Sequence, residues 1–208
     1  MKSHKILFVL LAIIMVQCET IPARLFEEIE KRKLEQLSDS VLTKAEISSL
    51  EHMREEELLA HDVYELLADL YDVPVFRNIA RSEWVHTGHV KDLIDQYGLE
   101  DPAADHQPGV FRDEGIQALY DDLTEKGKQS YEDAILVGLT IEDLDIADLE
   151  EAMASEVDNE DMVRVYDFLL MGSKNHMKAF FFHAQHNGIE YAPQYISQEY
   201  FLEIVEAE

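Results

Sequence analysis

Residues 50–71 read LEHMREEELLAHDVYELLADLY, a stretch with one apolar face that is interrupted in its middle by a carboxylate. Positions three and four apart lie on the same face of a helix. Here that face carries the series Leu50, Met53, Glu57, Ala60, Tyr64, Leu67 and Tyr71. The series predicts an amphipathic helix that packs through this face. It also places a carboxylate inside, where an unpaired charge costs several kcal/mol or more.

Three later stretches repeat this pattern of an apolar face with a polar middle. The second series is Phe76, Ile79, Glu83, His86, Val90, Leu93 and Tyr97. The third is Tyr131, Ile135, Gly138, Glu142, Asp145, Leu149 and Ala152. The fourth is Met162, Tyr166, Leu169, Ser173, His176, Phe180 and His183. The chain is therefore predicted to contain four amphipathic helices whose inward faces all turn polar near the middle.

The polar middles of these faces predict a metal site. A single polar residue in a helix seam more often sets register or hydrogen-bonds within the core. Four carboxylates and two imidazoles together favour two divalent cations, which would cancel their charge. The predicted ligands are Glu57, Glu83, His86, Glu142, Asp145 and His176.

Neighbouring residues offer alternatives that the spacing disfavours. Glu56 would be the ligand instead of Glu57 if the helix phase were shifted by one residue, but the spacing to Ala60 and Tyr64 favours Glu57. Tyr64 is expected in the core, next to the site, where it could hydrogen-bond a ligand. The remaining histidines are expected at the surface or rim, and these include His52, His61, His89, His106, His183 and His186.

Capping signals divide the chain into helices and connections. Thr43 with Glu46 is a capping box, Ser130 caps the third helix, and Asp158 or Asn159 caps the fourth, which ends at Gly188. The connections are short, long and short, and the long one is predicted to hold a short helix near residues 114–125. The fold class is therefore predicted as all-α, a four-helix bundle with one long crossover between helices two and three, plus short accessory helices.

The amino terminus predicts export. Lys2 and Lys5 precede an apolar run at residues 6–16, whose eleven residues suit a signal peptide and are too few to span a bilayer. Cleavage is expected after Cys18 or a few residues later, and Gln17 disfavours lipid attachment at that cysteine. The predicted segments are a signal peptide at 1–18, a helical arm at 19–42, the bundle at 43–188 and a tail packing on it at 189–208.

Charge and cysteine content limit the kinds of binding partner and metal site that can be expected. Forty-four acidic against 17 basic residues give a formal net charge of −27, which excludes a phosphate-binding surface for nucleic acid and disfavours anionic membranes. Cations are favoured, although a solvated acidic face is the commoner reason for such a charge. Cys18 is the single cysteine of the sequence, so neither an intrachain disulfide nor a thiolate metal site is expected.

Several motifs of this sequence resemble those of a known superfamily. Residues 57–64, ELLAHDVY, resemble the first-helix signature of ferritin-like proteins, and Glu83-x-x-His86 resembles the Glu-x-x-His pair of their second helix. Glu142 and His176 match the ligands of the third and fourth helices. The strings PVFRNIA at 74–80, DIADL at 145–149 and GSKNH at 172–176 resemble one microbial branch, a ferritin-like domain of unknown function, over about residues 50–200.

The sequence departs from the ferritin-like pattern at one ligand. The fourth helix should read Glu-x-x-His, but Ser173 stands at the glutamate position. Asp145 follows Glu142 by one helical turn on the same face and is expected to replace the missing carboxylate. Ser173 is expected beside it, where its hydroxyl could hold a metal-bound water.

The resemblance implies a function for such a site. Oxygen-rich ligation with two imidazoles suits two iron ions, and manganese or zinc would also fit. With iron, the resemblance implies a ferroxidase-like or peroxide-reducing oxidoreductase that uses O2 or peroxide and an external reductant, because no four-cysteine iron site is present. Two alternatives stay open: a secreted, non-catalytic acidic protein that binds metal, mineral or matrix, and a bundle whose site has lost its function. The oligomeric state is also open.

Overall fold

The computed structural model describes residues 41–207. The predicted signal peptide and all but the last two residues of the predicted arm lie outside the described residues. Within them the chain forms six α-helices and no β-strand, so the all-α prediction is confirmed for this part of the chain. The helices are α1 Lys44–Tyr71, α2 Pro74–Gln96, α3 Glu114–Gly127, α4 Tyr131–Ser155, α5 Glu160–Asn187 and α6 Gln198–Glu206.

The helices begin and end at the residues that the capping signals indicate. Thr43 and Glu46 form the predicted capping box at α1, and Ser130 accepts a hydrogen bond from the first turn of α4. Of the two candidates at α5, Asn159 is the cap. Gly188 ends α5 with a φ of 67°, a left-handed conformation that glycine adopts without a steric penalty.

The long helices pack in pairs. Helix α1 lies against α2, α4 lies against α5, and the two pairs meet through α2 with α5 and α1 with α4. The short helix α3 covers α1 and α4, and α6 lies on α5. None of the described helices is both long enough and apolar enough to cross a membrane.

Two separate apolar clusters fill the interior, one on each side of the polar residues at mid-helix. One cluster includes Leu58 and Val63 of α1 with Phe180 of α5, and the other includes Leu50 of α1 with Tyr166 of α5. Because each long helix contributes apolar residues to both clusters, the polar residues between them are brought to one level of the fold.

The long connection between α2 and α3 is fastened by charged side chains of α1. Arg54 pairs with Asp101 at 3.1 Å, and Asp62 accepts hydrogen bonds from His106 at 2.9 Å and from the backbone N–H of Gly109 at 2.7 Å. These contacts show that α1 uses one set of acids for the connection and leaves another set for the interior.

Candidate metal centre

All six predicted ligands are buried, each with between 1 and 8% of its surface exposed. Four helices supply them. They are Glu57 on α1, Glu83 and His86 on α2, Glu142 and Asp145 on α4, and His176 on α5. Side-chain contacts described below join five of them directly, and Asp145 lies close enough for its charge to act on Glu57, Glu83 and Glu142.

Glu83 lies between the two histidines. Its Oε2 is 2.7 Å from Nδ1 of His86, and its Oε1 is 2.7 Å from Nδ1 of His176. The two imidazoles stack with their centroids 5.3 Å apart and their planes at 25°. One possible ligand atom from each of Glu83, His86 and His176 falls within 4.8 Å of the other two. That separation suits ligands of a common metal centre.

A second carboxylate approaches the same nitrogen of each histidine. Glu57 Oε2 is 3.3 Å from Nδ1 of His86, and Glu142 Oε2 is 3.6 Å from Nδ1 of His176. Nδ1 of each histidine therefore faces two carboxylates. One is Glu83, which both histidines share, and the other contacts that histidine alone. The arrangement has two similar halves related through Glu83.

Tyr64 holds the Glu142 carboxylate in place. Its hydroxyl donates to Oε1 of Glu142 at 2.5 Å and also lies 3.3 Å from the carbonyl oxygen of Gly138. The tyrosine is fully buried, with its ring 5.2 Å from that of Phe180. This contact fixes one oxygen of Glu142 and leaves the other directed at His176.

Ser173 orients Asp145 in a similar way. Its hydroxyl lies within hydrogen-bonding distance of Oδ2 of Asp145 and 3.0 Å from the carbonyl oxygen of Leu169. The hydroxyl proton is thus directed at protein acceptors. Asp145 keeps its other oxygen, Oδ1, without a hydrogen-bond partner.

Unpartnered polar atoms are concentrated at this level of the fold. Among the described residues, the buried side-chain atoms without a hydrogen-bond partner are Glu56 Oε1 and Oε2, Glu57 Oε1, Glu83 Oε1, His86 Nδ1, Asp145 Oδ1 and His176 Nδ1. The short approaches of the two Nδ1 atoms to Glu83 therefore lack hydrogen-bond geometry. Buried polar atoms normally have partners, and a cation would serve carboxylate oxygens and imidazole nitrogens together.

Burial and mutual charge shift the pKa values of these groups in opposite directions. Burial raises the pKa of Glu57 well above its usual range and that of Asp145 to about 7, with neighbouring carboxylates adding to both. Burial would also raise the pKa of Glu83, but the two imidazoles outweigh it and lower the value to about 2.

The histidines respond to the same carboxylates. Burial disfavours the charged ring of His86, yet Glu57 and Glu83 outweigh it and raise its pKa to about 11. Glu83 and Glu142 likewise raise the pKa of His176 to about 10 against the effect of burial. Without a metal the rings hold protons, and these protons must leave when a cation takes the nitrogens.

Contacts on the far side of each ring hold Nδ1 toward the carboxylates. Nε2 of His176 lies 2.9 Å from the hydroxyl oxygen of Ser82. The ring of His86 lies against Gly172, where an added Cβ would be 2.4 Å from Cε1 and Nε2. A hydrogen-bond partner on the other nitrogen, as Ser82 is for His176, is typical of metal-binding histidines.

One cluster beside the centre was not anticipated from the sequence. Nε2 of His52 lies 3.5 Å from Oε2 of Glu56 and 3.5 Å from Oδ2 of Asp148. His52 was expected at the surface or rim, and its side chain is 44% exposed. The available sequence signal was the four-residue spacing of His52 and Glu56, with Asp148 one turn beyond Asp145.

The other histidines have contacts elsewhere. Nδ1 of His61 lies 2.8 Å from the carbonyl of Ala80, and Nδ1 of His183 lies 3.0 Å from the hydroxyl of Tyr131. His106 binds Asp62, as described above. The structure therefore brings none of these three into the centre.

Comparisons with known proteins identify relatives of this chain. The family model described as "Uncharacterized protein domain (DUF2202)" matches residues 46–208. The uncharacterized protein MJ0754 of Methanocaldococcus jannaschii is 46% identical over 164 residues, which span 79% of this chain and 88% of that protein. A crystal structure of the hypothetical protein MJ0754 from Methanococcus jannaschii has a TM-score of 0.79 at 45% identity. The match covers 81% of this chain and 95% of that one.

Proposed function

The chain belongs to the DUF2202 family, and we propose that it is a ferritin-like four-helix bundle that holds two divalent metal ions, iron in preference. The helices of the bundle are α1, α2, α4 and α5, with the crossover running through α3 from the second to the third. The observation that carries the proposal is the convergence of unpartnered carboxylate oxygens and both Nδ1 atoms at one buried level of four helices.

The ligands divide into two sets that share Glu83. One ion would be held by Glu57, His86 and one oxygen of Glu83. The other would be held by Glu142, His176 and the second oxygen of Glu83. Asp145 lies beside both sets and supplies the extra carboxylate that Ser173 does not.

This donor set fits the proposed metal. It contains carboxylate oxygens and imidazole nitrogens and no sulfur, which suits iron or manganese and also accommodates zinc. The four positive charges of two divalent ions balance the four negative charges of the carboxylates. The buried groups and ions are then neutral together without surface lysines or arginines.

The activity we propose is that of a ferroxidase-like or peroxide-reducing oxidoreductase. Iron held by these residues would supply two electrons, one from each Fe2+, which with two protons would reduce O2 to peroxide or peroxide to water. The chain contributes two features. The apolar clusters exclude bulk water, and Tyr64 holds Glu142 in position. A soluble reductant must return the electrons for each turnover.

A second candidate function is metal binding without turnover. The observation that favours it is the net charge of −27, which would also suit a protein that gathers cations or lies against mineral or matrix. In both cases we propose secretion, based on the signal peptide predicted at residues 1–18.

Metal content and oxidation kinetics test the proposal together. The protein is loaded anaerobically with Fe2+, desalted and analysed for iron, and then exposed to O2 while its absorbance is followed. About two irons per chain and an oxygen-dependent absorbance are expected, because the two ligand sets share Glu83. Glu83→Ala and His86→Ala should each lose most of both signals.

His89→Ala is the matched control, since His89 is an exposed histidine on the same helix, one turn from His86. It should retain the iron and the absorbance change of the parent. Retained iron without an oxygen-dependent change would favour the non-catalytic function. Absence of retained iron in the parent would overturn both.

A further inference from the structure

His52, Glu56 and Asp148 form a cluster, here called the outer cluster, that is separate from the ligand sets described above. His52 and Glu56 are four residues apart on α1, and Asp148 comes from α4. Nε2 of His52 lies 3.5 Å from an oxygen of each carboxylate. One atom from each of the three residues falls within 4.8 Å of the other two.

Glu56 is the residue that distinguishes the outer cluster from an ordinary surface ion pair. It is 3% exposed, and both of its carboxylate oxygens lack a hydrogen-bond partner. The preceding residue, Glu55, is also buried, but it accepts from the backbone N–H groups of Arg112 at 2.5 Å and Asp113 at 3.1 Å. The fold thus supplies donors to Glu55 and none to Glu56, which points at His52.

A cavity gives the outer cluster access to solvent. Its volume is about 640 Å³, and its wall includes His52 and Asp148. Further acids line it, among them Glu51, Glu55, Asp113, Glu151 and Glu156. Among the described residues, Arg112 is the single lysine or arginine in this wall. Such a cavity raises the local concentration of cations at the mouth of the cluster.

We propose that the outer cluster is a further cation site, which takes a divalent transition-metal ion from solvent through this cavity. One imidazole nitrogen and two carboxylates are a common ligand set for Zn2+, Mn2+ or Fe2+ with positions left for water. A bound ion would satisfy the oxygens of Glu56 and would join α1 to α4. The site does not depend on the proposed oxidoreductase function.

Zinc binding tests the site, because Zn2+ has no redox chemistry that could alter the inner centre. The metal-free chain is dialysed against Zn2+ in the presence of enough salt to screen weak surface binding, and bound zinc is measured per chain. His52→Ala and Asp148→Asn change residues on different helices, both partly exposed. Each should bind about one zinc fewer than the parent, because three ligands are needed to retain it.

His186→Ala is the matched control, since it removes an exposed histidine near the end of α5 and should bind as much zinc as the parent. Parent-like zinc content in both outer-cluster variants would overturn the site. His86→Ala separates the two proposals. If the inner centre fails, His86→Ala matches the parent while His52→Ala still loses zinc. If the outer cluster fails, His52→Ala matches the parent while His86→Ala still loses zinc.

Discussion

Asp143 and Asp145 are two residues apart on α4, and the protein treats them in opposite ways. Asp143 is fully buried, and its carboxylate accepts from the Tyr191 hydroxyl at 2.8 Å and from the backbone N–H groups of Gln194, Tyr195 and Ile196 at 2.5, 3.2 and 2.9 Å. Asp145 has one contact to a hydroxyl and an oxygen with no partner.

The difference separates two uses of a buried carboxylate. A carboxylate that fastens one segment to another is surrounded by N–H and O–H donors, as Asp143, Glu55 and Asp62 are. A carboxylate whose donors are missing has a position that hydrogen bonding does not explain. Glu57 and Asp145 are of this second kind, and their neighbours are other predicted ligands. Burial alone therefore does not mark a candidate metal ligand, whereas burial without donors separates the two kinds of carboxylate.

The largest effect should come from removing the first kind of carboxylate. Asp143→Ala leaves the donors of residues 191–196 without their acceptor and should lower the free energy of unfolding by roughly 3 kcal/mol, with or without metal. Urea unfolding followed by far-UV circular dichroism measures it. Asp145→Asn, as the comparison variant, should change the metal-free value by less than about 1 kcal/mol. Equal losses in the two variants would show that the distinction between them is wrong.

An intermediate effect should come from disturbing the inner centre without touching a carboxylate. Gly172→Ala places a Cβ 2.4 Å from the His86 ring, so the ring must leave the position in which its Nδ1 faces Glu57 and Glu83. We expect metal affinity to fall roughly tenfold, or about 1.4 kcal/mol, while the metal-free stability changes little. Competition with a chromophoric chelator measures the affinity.

Gly88→Ala provides the matched glycine, because an added Cβ there meets no atom within 4 Å. It lies on α2, one residue past Thr87, and should leave metal affinity unchanged. A tenfold loss in this variant as well would assign the effect to the helix backbone and not to the position of His86.

The smallest effect should be a pH-dependent loss of stability at Glu46, a carboxylate that accepts from backbone N–H donors as Asp143 does. Burial would raise the pKa of Glu46, but the N–H groups of Thr43 and Asn159 outweigh it and lower the value below 4.5. A lowered folded-state pKa adds stability above the unfolded value, and that stability is lost as pH falls through the folded value. Glu46→Gln should therefore lower the free energy of unfolding by about 1 kcal/mol at neutral pH.

The difference between Glu46→Gln and the parent should shrink as the pH falls below 4.5. Urea titrations at several pH values measure it. Glu51→Gln is a suitable comparison, since Glu51 is an exposed glutamate on the same helix. A gap that stays constant with pH would mean that the ionised form of Glu46 contributes nothing.

Local signals account for much of what the sequence predicted. The capping residues of α1, α4 and α5 could be read from Thr43, Ser130 and Asn159, because a cap depends on atoms within a few residues. Helical periodicity also placed all six predicted ligands on buried faces. Their assignment as metal ligands stays a prediction.

Contacts between distant segments account for what the sequence did not reveal. The donors of Asp143 lie about fifty residues further along the chain, so its pattern looked like that of any acid on α4. The direction of the Ser173 hydroxyl depends on how α5 lies against α4. Glu56 and Asp148 meet for a similar reason, since their approach depends on the heights at which α1 and α4 cross.

Arg54 is the single lysine or arginine that is buried among the described residues, and Asp101 already neutralises it. Among the described residues the interior therefore holds no spare lysine or arginine for Glu56, Glu57 or Asp145. Their countercharge must come from outside, as protons or as cations, in amounts set by the surrounding solution. The melting temperature of this protein is in that sense a property of the chain and its buffer together, and with the proposed metals bound a chelator in the buffer would change the molecule itself.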